Sequence, residues 1–391
     1  MMRRTTLLAL VALASPAAAS AQSLLNAAGL GFPTEALDAR TRALGGVGIG
    51  LQGAAILPTD PAAAGGFALP TATITAQPSW VDFGRSDTGE AGRFRGARFP
   101  SIAIAYPVAR AGIATFSYES VLDQRYEADH PVTVDVGQGP ETATDHFVSR
   151  GGVAQIRVGF ARTLGDRVSV GVSGGRYTGS LTRRLERTFP SDSTGSSVEQ
   201  YQTGGFWNYS GAFFTGGASV AVGSFAHLAG SVTWSSSLKA TPSQDTKGQG
   251  GSFDMPLKLR VGGTAVLAPG LILAAGYTRA DWSGVDNDLL QGTSAGTTTS
   301  YGVGIELARA RLLGKNAPLR FGYRTRDLPF VLEEGRPTER VWAGGLGLNL
   351  AQTGDFVRAA VDLALEKGDR TDAIISESFW RGTITVRVSG F

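Results

Sequence analysis

From Thr71 to the C-terminus the chain alternates apolar and polar positions in segment after segment. Ile156, Val158 and Phe160 interleave with Gln155 and Arg157, and Leu257, Leu259 and Val261 with Lys258 and Arg260. Leu319, Phe321 and Tyr323 oppose Arg320 and Arg324, while Val357, Ala359, Val361, Leu363 and Leu365 oppose Arg358, Asp362 and Glu366. Successive strand side chains point to opposite faces, so a period of two puts the aliphatic set on one wall and the charges on the other. Fourteen such segments are legible, near 71–83, 98–107, 110–122, 146–163, 166–188, 206–222, 225–240, 255–268, 271–283, 299–313, 317–328, 338–350, 356–367 and 377–391. Tight turns such as Leu164–Arg167, Ala268–Gly270 and Gly314–Ala317 alternate with long polar linkers at 124–145, 189–205, 241–253 and 284–298.

An even strand count, short turns at one rim and long loops at the other predict an all-β fold, a transmembrane antiparallel β-barrel over residues 71–391. In a soluble sandwich the aliphatic face would meet a second sheet; in a barrel it meets lipid and the charges line the interior. Trp80, Trp207, Trp234, Trp282, Trp342 and Trp380 are read as interfacial, near strand ends. Residues 22–70 have neither period two nor a sustained helical repeat, and their one candidate helix is short, near Thr34 to Leu44. Within them, Arg40 to Gly66 is rich in Gly and Ala and nearly uncharged. Side chains this small bury too little apolar area to fold alone, so the barrel must enclose the segment as a plug.

Composition narrows the compartment. Arg3 and Arg4, the apolar run Leu7–Ala14 and Ala19-Ser20-Ala21 form a secretory signal peptide over residues 1–21, with Gln22 as the mature N-terminus. No later apolar run approaches the roughly 20 residues of a spanning helix. Gly is 54 of 391 residues and charge only 18%, against about 7% and about 25% in soluble domains, which fits an exported all-β protein. The absence of Cys excludes disulfides and thiolate metal sites. A net charge of +3 is too modest to argue for nucleic acid.

Candidate chemistry is sparse. His130, His146 and His227 are the only histidines, and none has a metal-ligand spacing. A hydrolase would need His146 and His227 brought to a nucleophile, and no local motif supports that. Neither catalytic residues, nor a metal, nor a cofactor is expected. Gly302-Val303-Gly304 and Gly345-Leu346-Gly347 lie within strands and read as close-packing positions, not phosphate loops. The inward charges Arg157, Lys258, Arg260, Glu306, Arg320, Arg324, Arg358, Asp362, Glu366 and Arg387 admit two readings. They form ion pairs that anchor the plug, or a cationic subset holds the carboxylate of an amphipathic ligand.

Thr41-Arg42-Ala43-Leu44-Gly45-Gly46-Val47-Gly48-Ile49-Gly50, followed by Asp60-Pro61-Ala62 and Gly65, resembles the N-terminal hatch motif of FadL-type outer-membrane transporters. Arg42, Gly45, Gly46 and Gly48 echo its Gly-rich part, and Asp60, Pro61 and Ala62 its Asn-Pro-Ala, with Asp in place of Asn. Met255-Pro256, Val261-Gly262-Gly263, Ala274–Tyr277 and Asp281-Trp282-Ser283 resemble a paired-strand signature of the same family. The resemblance implies passive outer-membrane uptake of long-chain fatty acids or hydrocarbons, with outer-membrane lipid and a hydrophobic small molecule as partners and no enzymatic step. Leu319–Tyr323, Leu328-Pro329-Phe330 and Phe379-Trp380-Arg381 resemble a PorV-like branch equally, which would instead dock exported proteins. A general polar porin fits poorly with a plugged lumen. The last strand ends on Phe391, resembling the insertion signal read by the barrel-assembly machinery. Ile384, Val386 and Val388 are out of phase with Phe391, and a bulge at Ser389-Gly390 would restore the phase.

Overall fold

The computed structural model describes residues 23–391 apart from residues 28, 54, 88, 136–138, 190–200, 290–292, 313, 333–334 and 355. The leader at 1–21 and Gln22 lie outside the described residues. Fourteen antiparallel strands close into a transmembrane barrel. They are β1 (Thr71–Arg85), β2 (Ala91–Val108), β3 (Gly112–Asp123), β4 (Pro140–Leu164), β5 (Val168–Thr188), β6 (Tyr201–Val222) and β7 (Ala226–Ser235). Then follow β8 (Lys258–Ala268), β9 (Leu271–Asp281), β10 (Thr297–Leu307), β11 (Leu319–Asp327), β12 (Thr338–Thr353), β13 (Phe356–Thr371) and β14 (Ile375–Ser389). Each strand pairs with the next, and β14 returns to β1 with Thr71 opposite Ser389.

Alternation sorts the two faces as the pattern demands. Ile156, Val158, Val172, Leu259, Val261, Phe321 and Leu365 are exposed on the outer wall, whereas Gln155, Arg157, Arg320, Arg324 and Glu366 are buried inside. Trp80, Trp234, Trp342 and Trp380 are exposed on the outer wall. Trp282 is not interfacial: it is buried in the lumen and packs edge-on against Phe330. Trp207 lines an internal cavity and donates from its indole N–H to the Gln249 carbonyl at 3.0 Å.

Inside the barrel, residues 23–70 run from the long-loop end to the short-turn end. Leu24 and Leu25 pack with Phe32, Leu328 and Ile375 near the former. The expected helix shortens to Ala39–Ala43, N-capped by Asp38, whose carboxylate accepts from the Thr41 N–H at 2.8 Å. Gly45 and Gly46 take φ of +70° and +75° directly after it, a conformation that stops a helix. A 3-10 turn spans Pro61–Gly66, and β1 begins five residues later.

Glycines on the wall let this plug approach backbone to backbone. A Cβ on Gly322 would lie 2.1 Å from the Gly45 nitrogen, and one on Gly304 would lie 2.6 Å from Leu44 Cα. Gly345 would meet the Ala43 methyl at 2.6 Å, and Gly171 would meet the Pro61 carbonyl carbon at 2.4 Å. The Gly-x-Gly pairs in β10 and β12 are therefore packing positions. Side chains pin the same contacts: Thr385 accepts from the Ala39 N–H at 2.9 Å, and Thr264 donates to the Gly50 carbonyl at 3.2 Å.

Two linkers differ from the sequence expectation. The stretch 124–145 is not a loop, because Tyr126–Asp135 forms a hairpin with the upper part of β4. The segment at 225–240 divides into β7 and Leu238–Pro242, which pairs with β6 and with Gly251–Phe253 from the supposed loop 241–253. Both additions lie at the long-loop end, where the outer face is polar and alternation fades, although Leu238 and Phe253 still pack into the lumenal apolar cluster. At the C-terminus β14 stops at Ser389, Gly390 takes φ +72° and donates to the Pro70 carbonyl, and Phe391 is exposed.

Candidate functional site

All ten sequence-predicted charges project inward, and they separate into groups. The largest is an ion web over β11–β14. Arg324 lies 2.9 Å from Glu339 and 3.6 Å from Glu366. Arg381 binds Glu366 at 2.7 and 3.0 Å, and Arg370 bridges Glu339 and Glu377 at 2.8 and 2.9 Å. The plug enters this web directly. Glu35 stands 3.6 Å from Arg324 and 3.9 Å from Arg326, and Arg42 stands 3.9 Å from Glu366. The Ser23 hydroxyl and the Leu24 N–H both donate to Glu377. Beside it, Glu306 accepts from Arg40 at 2.9 Å and from Arg320 at 2.8 Å, and Arg320 reaches Asp362 at 2.5 Å. Wall and plug charges thus pair directly, as buried ions need partners to persist.

Arg157 is likewise satisfied, by Glu119 at 3.1 Å and by Ser173, Thr215 and Gln155. Arg358 donates to the Gly390 carbonyl at 2.9 Å, and Arg387 faces inward near the same end of the barrel. Lys258 and Arg260 are different. Neither forms an ion pair among the described residues; the Lys258 ammonium sits over Trp282 at 5.3 Å, and Arg260 donates to the Thr233 hydroxyl at 3.2 Å. Both line a chamber of about 140 Å³ in mid-barrel, closed on one side by Glu35, Leu37 and Pro58 of the plug.

A second cavity of about 680 Å³ lies above, at the long-loop end, and its walls are Leu30, Leu181, Trp207, Tyr209, Phe253 and Leu289, with Arg183 and Lys247 among its polar lining. Between the two cavities stands an apolar cluster that includes Tyr177, Phe213, Met255, Trp282 and Phe330. Tyr209 belongs to both vestibule and cluster, while Tyr177 and Trp282 belong to both cluster and chamber. Apolar contacts are therefore continuous from the rim to the two cations.

The wall has one seam. β2 and β3 pair only from Ser101 opposite Glu119 down to Val108 opposite Gly112. Above that, β2 pairs with β1 alone among the described residues, and the end of β3 turns to the plug, with Phe32 opposite Asp123 and Pro33 opposite Leu122. Pro100 lies at the break and has no N–H to offer a ladder. Side chains span the gap instead: Asp123 lies 3.9 Å from Arg98 and accepts from Arg125, which donates to the Ala97 carbonyl at 3.1 Å.

At the Asp-Pro-Ala turn, Asp60 is fully buried and accepts from the Gly50 N–H at 2.9 Å, without an arginine partner. Its other oxygen has no hydrogen-bond partner, and neither has the buried Nδ1 of His227. Pro61 and Ala62 press against Gly171, Arg42 joins the ion web, and Gly48 is closed over by Leu37. His146 is held by Asp129 at 2.5 Å on an exposed extension at the opposite end from His227, so the two do not meet. Among the described residues no group of three or more His, Asp or Glu could hold a metal ion.

Sequence reasoning missed Arg326, Glu339, Arg370, Glu377 and Arg381. Arg326, Glu339, Arg370 and Glu377 continue the inward parity of their strands past the apolar belt, and Arg381 alternates with the outward Trp380 and Ile384; that parity was the available signal.

No protein-family model matches the chain, and no curated protein sequence does. Solved structures do. A FadL homologue from Pseudomonas aeruginosa aligns over 93% of this chain and 100% of its own, with 11% identity and a TM-score of 0.63. The toluene transporter TbuX of Ralstonia pickettii aligns over 91% and 98%, with 16% identity and a TM-score of 0.58. The fold is that of a FadL-type barrel. The CymD monoaromatic hydrocarbon channel adds a third likeness, at 15% identity over 94% of this chain and 99% of its own, with a TM-score of 0.57. These FadL-type structures match this chain along nearly its whole length, plug and barrel together.

Proposed function

We propose that this protein is a passive outer-membrane channel for amphipathic organic acids, with an apolar tail and an acidic head, such as long-chain fatty acids. The long-loop end faces the exterior and the short turns the periplasm. The observation that carries the reading is the apolar path that ends at Lys258 and Arg260, two lumenal cations without a direct ion pair among the described residues, in a chamber whose carboxylates Glu35 and Glu119 are themselves paired to Arg324 and Arg157. An alkyl or aryl tail leaves water for the vestibule, gaining roughly 25 cal/mol per Å² of apolar surface. Its carboxylate then reaches donors in a site screened from bulk solvent, where a charge-assisted bond is strong. Movement of the plug away from the chamber, or parting of the β2–β3 seam at Glu119–Asp123, releases the ligand without any chemical step.

The fold likeness to hydrocarbon channels supports passage of hydrophobic molecules; the two cations argue for an acidic head. The test is binding and uptake of a fluorescent fatty acid by outer-membrane vesicles, with toluene as a neutral comparator. Lys258→Met with Arg260→Met is expected to weaken fatty-acid binding tenfold or more, on the order of 1.5–3 kcal/mol, and to leave toluene uptake intact. Equal binding by the double variant defeats the acid reading. An intact chain that binds neither compound but co-purifies with an exported protein defeats the channel reading.

A further inference from the structure

The outer wall carries a feature that neither plug nor lumen uses. Across five neighbouring strands one register row reads Trp80 on β1, Trp380 on β14, Lys367 on β13, Trp342 on β12 and Tyr323 on β11. The row beneath it contains Phe321, Gly344 and Leu365. The row above contains Asp82, Ser378, Asp369, Arg340 and Thr325, without an apolar side chain. The apolar belt therefore ends at a tryptophan row, and a lysine is set into that row.

Lys367 is half-buried there although it faces outward. Its ammonium lies 5.7 Å from the Trp380 ring centre and donates to the Ser378 hydroxyl. Below it the wall is hollowed. Gly344 supplies no side chain, and a trough of about 750 Å³ opens between Phe321, Leu365 and Trp342, with Lys367 and Trp380 at its upper end. Two carboxylates share the polar row. Asp82 is bound by Arg93 and lies within electrostatic reach of Lys367, while Asp369 stands opposite Arg340 in register.

We propose that this trough is a binding site for a phosphorylated lipid of the outer leaflet, of the lipid A type. One acyl chain lies over Gly344 between Phe321 and Leu365, and a headgroup phosphate meets Lys367, with Arg340 one step above. Amphipathic rings at the polar boundary hold this height in the membrane. Their position at the long-loop end selects the outer leaflet. A lysine among lipid tails keeps its charge by snorkelling toward an anion, and a phosphate provides three acceptor oxygens. The proposal rests on the outer-membrane orientation given above, but not on the transport reading.

Native mass spectrometry of the full barrel in detergent tests it, with bis-phosphorylated lipid A and its dephosphorylated form as probes. The unaltered chain should retain one phosphorylated molecule in preference to the dephosphorylated one. Lys367→Gln with Arg340→Gln should weaken retention roughly tenfold or more. Gly344→Leu, which fills the trough, should weaken retention of both probes, and none of these changes should alter fatty-acid binding in the lumen. Heat-modifiable migration on gels reports whether each variant is folded. Equal retention of the two probes, or undiminished retention by the folded double variant, overturns the proposal alone. Retention of neither probe by the unaltered chain overturns it together with the membrane orientation. A second copy of the chain seated on the trough, read as a dimer that excludes lipid, overturns it as well.

Discussion

The two sides of the lumen use charge in opposite ways. Over β11–β14 the buried charges Arg324, Glu339, Glu366 and Arg381 pair with one another, and their bonds run from strand to strand and into the plug. Over β7–β9, Lys258 sits on a tryptophan face and Arg260 on a hydroxyl, and among the described residues neither forms an ion pair, although Glu35 and Glu119 line the same chamber. On the first side cations and carboxylates alternate and pair, and their electrostatics go into position. The second side is unsatisfied in a place that apolar contacts lead to. One wall pairs its charges with the plug; on the proposed reading, the other receives the ligand.

The strongest way to break this contrast is Glu366→Gln. It leaves Arg42, Arg324 and Arg381 without their shared carboxylate, and removing one partner from a buried ionic group costs about 3–5 kcal/mol. The plug should loosen while the barrel persists, because the strand ladder does not depend on Glu366. Limited trypsin digestion is the measurement, and rapid cleavage after Arg40 or Arg42 in folded barrels is the expected result. A plug as protected as in the unaltered chain would mean that the web is not what holds it.

How much of this contrast could be read from the chain follows the physics of the belt. Within the membrane one face must be apolar, so Leu319, Phe321 and Tyr323 mark Arg320 and Arg324 as inward without ambiguity. Above the membrane both faces are polar. Arg326, Glu339, Arg370 and Glu377 lie there, as does the hairpin at Tyr126–Asp135, and the same loss of contrast hid them all. Arg381 lies within the belt, where the outward Trp380 and Ile384 marked it as inward although Gly382 broke the apolar run. Glycines behave similarly. Gly302, Gly304 and Gly345 sit in strands and announce close approach, but only the register shows that Gly322 and Gly171 receive Gly45 and Pro61. Nor does any local pattern separate Lys258 from Arg324. Which cation is neutralised depends on strands far apart in sequence.

A smaller effect separates steric from ionic anchoring. Gly322→Val places a side chain where its Cβ would lie 2.1 Å from the Gly45 nitrogen, and overpacking of this kind costs roughly 1–3 kcal/mol. The plug should shift away from β11 with its ion pairs strained, not removed. Passage of small polar solutes into liposomes should rise modestly. An unchanged leak, together with undiminished protection of Arg40 and Arg42 from trypsin, would show that the glycine contact is dispensable.

The smallest expected effect concerns Asp60, the one buried plug carboxylate outside the ion web. Burial raises its pKa above the usual carboxylate value, against the Gly50 N–H that favours the charged form. A raised value in the folded state means that ionisation opposes folding. The penalty is complete above the folded value and disappears as pH falls below that of the unfolded chain, near 4. Asp60→Asn keeps an acceptor for Gly50 and removes the charge. It should therefore stabilise the plug at neutral pH by about 1 kcal/mol or less, with the advantage fading toward pH 4. Hydrogen exchange at the Gly50 amide across that range is the readout. A variant less protected at neutral pH would mean that the carboxylate is paired after all, with His227 as the nearest candidate, and that this side of the plug is also held by charge.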